Sequence, residues 1–222
     1  MKKIMQKESL ADQAFNNIKD AIIAGKLAQQ EELPEEKLAS DLGISRTPIR
    51  EALKRLAAEG LVQMHKAKPA TVATFTKDNA LHYMEIRKLL EIHNIEKNAD
   101  QLSEQVLYAL NKNLEGQLEA IEANDYNSFM DFDRAFHLHL ANIGDNVKLA
   151  ELISQMNTGV NRAFLFLSNT LPVSAKDAYV EHVKIVQALQ KREKELAKQL
   201  MIIHLENVET RFLNYYPGEE KK

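Results

Sequence analysis

The stretch DLGISRTPIREALKRLAAEGLV, from Asp41 to Val62, constrains this chain more than any other. It reads as the end of a helix, a tight turn, and a second helix that opens on basic and hydroxyl side chains. Gly43 stands where a helix must stop and reverse, a place that favours a residue tolerating positive φ. Ser45 or Thr47 can cap the next helix, and Pro48 fits its first turn, where no backbone N–H is needed. Arg46, Thr47 and Arg50 gather at that N-terminus, the part of a recognition helix that meets phosphates and base edges. Ile49, Ala52, Leu53 and Leu56 repeat behind them at helical spacing and should face a core. Gly60 ends the helix. The alternative is a small helical domain with a solvated basic face. Arg50 could pair with Glu51 or Glu35, which would leave Arg46 unexplained.

The flanks extend the pattern. Ser9-Leu10-Ala11-Asp12 resembles a capping box with Asp in the Glu/Gln place. A helix follows with Leu10, Ala14, Phe15, Ile18, Ala21 and Ile22 on one face, closed by Gly25. Pro34 precedes a short helix through Leu38 and Leu42. After Gly60, Leu61–Met64 and Thr71–Ala73 read as short strands, with Lys66-Ala67-Lys68-Pro69 as a basic hairpin tip. Three helices and a hairpin make a winged helix-turn-helix over residues 1–76, with a linker at Phe75–Asp78. Net charge is −3 over 222 residues, yet residues 1–75 sum to +2. A basic module on an acidic body is a mild electrostatic footprint for DNA.

Residues 77–222 are helical in period. Segments are expected near 78–99, 103–123, 126–142, 146–168, 175–191 and 193–214, with loops around Asn124, Gly144 and Leu171-Pro172. The fold class is therefore mainly α, a winged helix-turn-helix followed by an all-α bundle of about six helices. The tail from Gly218 to Lys222 is expected to be disordered. No apolar run is long enough to span a membrane. Lys2, Lys3 and Lys7 are not followed by an apolar stretch, so no signal peptide is expected. With no cysteine, disulfides and thiolate ligands are excluded, which fits a cytoplasmic protein.

The bundle carries a second pattern. Asp133 and His137, in DFDRAFHLHL, are four apart on one helix face, close enough to share a metal. Phe136 and Leu140 flank His137, so the imidazole should point inward. His182 in AYVEHVKIVQAL and His204 in QLMIIHLENV also lie in amphipathic helices. Buried imidazoles need partners, and a shared metal would satisfy all three. The alternative is core histidines bonded to backbone carbonyls. His139, two residues from His137, should point elsewhere.

Both halves resemble one known family. ELPEEKLASDLGISRTPIREALKRLAAEGLV is similar to the DNA-binding domain of GntR-family bacterial transcription regulators. The resemblance implies DNA contacts from Arg46, Thr47, Arg50, Lys66 and Lys68. Two positions depart from it, since many relatives have Arg in place of Glu36 and Gly in place of Ala67. DRAFHLHLANIGDN, VEHVKIVQAL and the following HL resemble the FCD domain of the FadR branch. That resemblance implies a metal held by Asp133, His137, His182 and His204. It also places Arg87, in MEIRKLLEI, toward an effector cavity; an i,i+4 surface pair with Glu91 is the alternative. Six helices suggest the VanR-like subgroup.

The expectation is thus a homodimeric, ligand-responsive regulator on a pseudo-palindromic double-stranded operator, with no membrane association and no enzyme activity. A divalent ion, Zn, Ni or Mn, would sit in the bundle, and a small carboxylate effector would bind near it against Arg87. The rival is a metal-dependent enzyme using the same Asp/His cluster. A purely structural metal is a third reading.

Overall fold

The computed structural model describes residues 9–23, 26–74, 76–165 and 171–215. Lys2, Lys3, Lys7, Gly25, Phe75 and the tail from Gly218 lie outside these residues. The chain divides into two units, Met1–Thr76 and Lys77–Lys222.

In the first unit the capping box forms as expected. The Asp12 N–H donates to Ser9 Oγ at 3.1 Å, and the Ser9 N–H donates to Asp12 Oδ2 at 3.1 Å. Helix α1 (Leu10–Ile23) follows. Ala11, Ala14, Phe15, Ile18 and Ile22 are buried, whereas Leu10 is 52 % exposed. Leu10 is the helix's first residue, so there is no preceding helical turn for its side chain to lie against. A short strand β1 (Glu32–Leu33) precedes α2 (Glu35–Leu42) and α3 (Arg46–Ala58).

Gly43 has φ 66° and its N–H caps α2 through Ala39 and Ser40 carbonyls. Gly60 has φ 68° after α3, and the Leu61 N–H reaches back to the Leu56 carbonyl. Both glycines are therefore left-handed helix stops. Ser45 is at the N-cap of α3, but its side chain makes no capping bond. Ile49, Ala52, Leu53 and Leu56 are all buried against α1 and α2. Burying each such aliphatic side chain stabilises by roughly 1.5–3 kcal/mol.

Strands β2 (Val62–Gln63) and β3 (Ala70–Val72) form the wing. Among the described residues the sheet has the order β1-β3-β2, all antiparallel, with Leu33 opposite Ala70 and Val62 opposite Val72. Strand β1 carries no sequence signal, because two residues are too few for an alternation. Ala67 at the wing tip has φ 60°, the left-handed conformation that glycine adopts freely.

The second unit contains α4 (Lys77–Asn98), a 3₁₀ turn at Ala99–Gln101, α5 (Glu104–Glu122), α6 (Tyr126–Ala141), α7 (Val147–Leu165), α8 (Leu171–Gln190) and α9 (Lys194–Tyr215). Lys77 and Asp78, expected in the linker, open α4. Leu171 and Pro172, expected in a loop, open α8; proline suits a first turn because the backbone N–H it lacks would have no partner within the helix there. The segment 166–168, expected to be helical, lies outside the described residues.

Helix α4 packs on α7 and α9, α5 on α6 and α8, and α8 on α9. Phe136, Leu140, Ile185, Leu189, Met201 and Leu205 belong to the main apolar core. The inward face of α4 is unlike the others. It buries Arg87, Glu91, Asn94 and Asn98. Asn94 Nδ2 donates to the Leu140 carbonyl at 2.8 Å, and Asn98 Nδ2 donates to Asn94 Oδ1 at 2.9 Å. Gly144 packs on the Asn98 side chain so closely that a Cβ there would lie 2.4 Å from Asn98 Nδ2.

Candidate DNA-binding surface and metal centre

Arg46, Thr47 and Arg50 stand exposed at the start of α3, and Lys66 and Lys68 stand exposed on the wing. A surface groove of about 580 Å³ is bounded by Glu36, Arg46, Met64, His65 and Lys68, among others. The first turn of α3 and the wing thus share one face.

That face is partly self-neutralised. Arg46 Nη1 donates to Glu36 Oε1 at 2.7 Å. Arg50 grips Glu35 with two bonds, Nε to Oε1 at 2.8 Å and Nη2 to Oε2 at 2.6 Å. The Arg50 hydrogen bonds hold the Glu35 carboxyl below its ordinary pKa. Arg46 therefore has a surface carboxylate of its own, contrary to the sequence argument that surface pairing leaves it unexplained. Glu36 and Arg46 are both largely exposed, so water screens the pair and phosphate can displace it. Glu36→Ala is expected to tighten binding to unrelated duplex DNA several-fold, and to steepen the salt dependence by about one unit of log–log slope. A titration of fluorescent duplex at several salt concentrations measures both; unchanged affinity and slope would show that DNA does not meet this pair.

In the second unit three helices converge. Helix α6 brings His137, α8 brings His182 and α9 brings His204, all with no solvent exposure. One ring nitrogen of each is engaged on its outer side. The Nδ1 atoms pair with Glu91 Oε2 at 2.6 Å for His137, Gln117 Oε1 at 2.9 Å for His182 and Glu181 Oε2 at 2.7 Å for His204. Carboxylate and amide oxygens accept, so Nδ1 carries the proton and Nε2 the lone pair.

The Nε2 atoms then face one another. Those of His182 and His204 are 3.3 Å apart, and His137 Nε2 has no partner among the described residues. The three rings offer ligand atoms that all lie within 4.8 Å of one another. Two nitrogens each about 2.0–2.1 Å from one tetrahedral Zn²⁺ would be roughly 3.3–3.4 Å apart. Asp133 Oδ1 is 3.7 Å from His182 Nε2. Core histidines bonded to backbone carbonyls, the alternative, are not what this centre contains: side-chain oxygens hold all three Nδ1 atoms.

At His182 and His204 the electrostatics favour the neutral imidazole. Burial, and then the neighbouring His204 and His137, push the His182 pKa well below its ordinary value. Burial also lowers that of His204, against the pull of Glu181. Burial would raise the Glu181 carboxyl, but hydrogen bonds from His204 and Arg211 bring it down to about 2. The Glu91 carboxyl is likewise lowered, burial being outweighed by His137 and Arg87. Neutral imidazoles held by outer carboxylates are the form that ligates a divalent metal.

Arg87 is buried beside this centre. Its Nε donates to Glu91 Oε1 at 2.7 Å, so the i,i+4 pair exists, but inside the bundle rather than on the surface. Its Nη2 has no partner among the described residues, and Arg87 lines a small cavity together with Asp133, Asn161, Ser174 and Arg211. Sequence reasoning missed Gln117, Glu181, Asn161, Ser174 and Arg211. Of these only Glu181, beside His182, had any local signal. His139 lies outside the cluster.

Residues 10–72 match the profile described as bacterial regulatory proteins, gntR family, and residues 82–207 match the FCD domain. The chain belongs to the gntR family and carries an FCD domain. It is 28 % identical over 193 residues to the HTH-type transcriptional regulator YdhC of Bacillus subtilis, covering 86 % of each chain. It is 26 % identical over 197 residues to the HTH-type transcriptional repressor RspR of Escherichia coli, covering 88 % of this chain and 86 % of that one. The solved structure of E. coli McbR/YncC superposes with a TM-score of 0.69 at 25 % identity, over 94 % of this chain and 99 % of that one. The gntR-FCD chain is accordingly a DNA-binding transcription regulator with an effector domain, and its family and relatives are not enzymes. Among its described residues no helix is long and apolar enough to cross a membrane.

Proposed function

We propose that this gntR-FCD regulator acts in the cytoplasm as a homodimer on a pseudo-palindromic operator, and that a small carboxylate bound in the FCD unit controls its affinity for DNA. Each half-site would be read by Arg46, Thr47 and Arg50, with Lys66 and Lys68 on the backbone beside them. His137, His182 and His204, with Asp133 as the oxygen donor, would hold one divalent ion. The nitrogen-rich set suits Zn, Ni or Mn without selecting among them. Such an ion supplies a Lewis-acidic partner for an anionic ligand. The observation that carries the reading is the convergence of three Nε2 lone pairs whose Nδ1 atoms are all engaged from behind.

In this scheme Glu91, Gln117 and Glu181 orient the imidazoles. Arg87 Nη2 supplies a buried positive charge for the effector's carboxylate, held in place by the Nε bond to Glu91. Arg211, gripped by Glu181 through both Nη atoms, borders the same cavity. Because His204 shares that carboxylate, the metal centre and the cavity wall are linked through one side chain.

The test is a thermal-shift panel of mono-, di- and tricarboxylates on metal-loaded protein. Wild type is expected to be stabilised by at least one acid, while Arg87→Ala keeps its metal and loses that response. No response to any acid in wild type would leave Arg87 with a structural role only. Lys66→Ala and Lys68→Ala are each expected to weaken DNA binding evenly across sequences. Each should lower the salt slope by about one unit, and an unchanged slope would remove the wing from the interface.

A further inference from the structure

The groove between α3 and the wing is bordered by Glu35 and Glu36 as well as by Arg46 and Lys68. Carboxylates on a face that meets phosphate call for an explanation, because each repels the ligand. The two are held differently. Glu36 takes a single bond from Arg46 and its side chain is 82 % exposed, whereas Glu35 takes two from Arg50 and is 26 % exposed. Both begin α2, and a helix N-terminus favours an acid in any case. A helix end does not require a parallel, two-bond grip on a residue of the next helix, 15 positions away.

The edge of Arg50 that is gripped decides what it can read. A guanidinium carries five N–H donors in one rigid plane, with a side edge at Nε and Nη2 and an end edge at Nη1 and Nη2. Glu35 occupies the side edge. Those two bonds leave both Nη1 donors and one Nη2 donor for another acceptor. Two parallel N–H donors on one edge match O6 and N7 of a guanine. A long, unrestrained arginine serves phosphates as well as bases. Glu35 narrows that choice twice: it fixes the plane of the guanidinium, and its own negative charge disfavours a phosphate beside it.

We infer that Glu35 is a positioning residue for operator reading: it clamps the side edge of Arg50, keeps phosphate away from it, and leaves the end edge for one guanine of each half-site. The inference rests on Arg50 as a base contact, and adds the residue that aims the contact and the base it selects. Glu36 has no such part, being a loosely held competitor for Arg46.

The test uses two fluorescent duplexes, one selected by wild type from a random pool and one unrelated, titrated at a single salt concentration. A carboxylate that only repels DNA tightens every duplex when it is removed. Glu35→Gln is expected instead to tighten the unrelated duplex and weaken the selected one, so that the ratio of the two affinities falls by about tenfold, much of a base contact. Glu36→Ala should tighten both alike and leave the ratio within about twofold. In an Arg50→Ala background Glu35→Gln should no longer lower the ratio, since nothing remains to be aimed. Glu35→Asp keeps the charge on a shorter stem. It should lower the ratio without tightening the unrelated duplex, which supplies a second reading if Glu35→Gln fails to fold. A ratio unchanged by both Glu35 variants, but lowered by Arg50→Ala, overturns the positioning role and leaves Arg50 as a base reader. A ratio that Glu35→Gln lowers equally in the Arg50→Ala background also overturns it, and makes Glu35 itself the base contact, accepting from a cytosine amine. A ratio unchanged by Arg50→Ala overturns the Arg50 reading and this inference together.

Discussion

Stripping divalent metal from the purified regulator is expected to lower its melting temperature by about 10 °C. With ion present at roughly a thousand times its dissociation constant, binding stabilises the folded chain by about 4 kcal/mol, and in a protein of this size each kcal/mol moves the transition by about 2–4 °C. The structural reason is the mismatch that remains without a cation. The His182 and His204 lone pairs face each other at 3.3 Å, and His137 Nε2 has no partner among the described residues. One ion per subunit is expected by metal analysis, and His182→Ala and His204→Ala should each lose it. Those variants should then melt at the same temperature with and without chelator. Stoichiometric metal surviving in a His137→Ala, His182→Ala double variant would remove the site altogether.

Arg50→Ala is expected to weaken binding to duplexes that wild type selects from a random pool, by about tenfold to a hundredfold, the loss of one bidentate base contact. Arg46→Ala should lose a similar factor. Neither should alter the circular dichroism, since both side chains are exposed and their carboxylate partners lie on the surface. Arg50→Lys should fare little better than Arg50→Ala. The two-pronged grip on Glu35 shows a guanidinium used as a fork, and an ammonium cannot reproduce that geometry. Wild-type affinity in Arg46→Ala would mean that another element reads the sequence.

The parts of the fold that were legible in the sequence are those whose physics is local. Gly43 and Gly60 announce helix stops because a side chain there would be strained. Ser9 and Asp12 announce a helix start because each satisfies the other's backbone N–H. Strand β1 was invisible, as its two residues acquire strand character only from pairing with β3. Leu171 and Pro172 looked like a loop because proline is a breaker everywhere except a first turn. In the FCD unit the histidines were legible because imidazoles among apolar residues demand an explanation. Their outer partners were not. Gln117 is 65 residues from His182, and Glu91 is 46 from His137. Nothing in a helical period distinguishes such residues from solvated ones. Helix α4 is the extreme case: its core face is itself polar, so alternation with a solvent face is blurred.

That same helix has a mechanical consequence. The 22 residues of α4 begin at Lys77, immediately after the winged-helix unit ends at Thr76. Asn94 and Asn98 pin its far end to the Leu140 carbonyl and to each other. At 1.5 Å of rise per residue, Arg87 sits about 10 Å from Asn94 and Lys77 about 25 Å from it. If the helix moves as a stiff rod about that pinned end, a 1 Å tug on Arg87 becomes a swing of about 2.4 Å at Lys77. A ligand that drew on Arg87 would then act on the short arm of a lever whose long arm ends at Lys77, where the chain passes to the winged-helix unit.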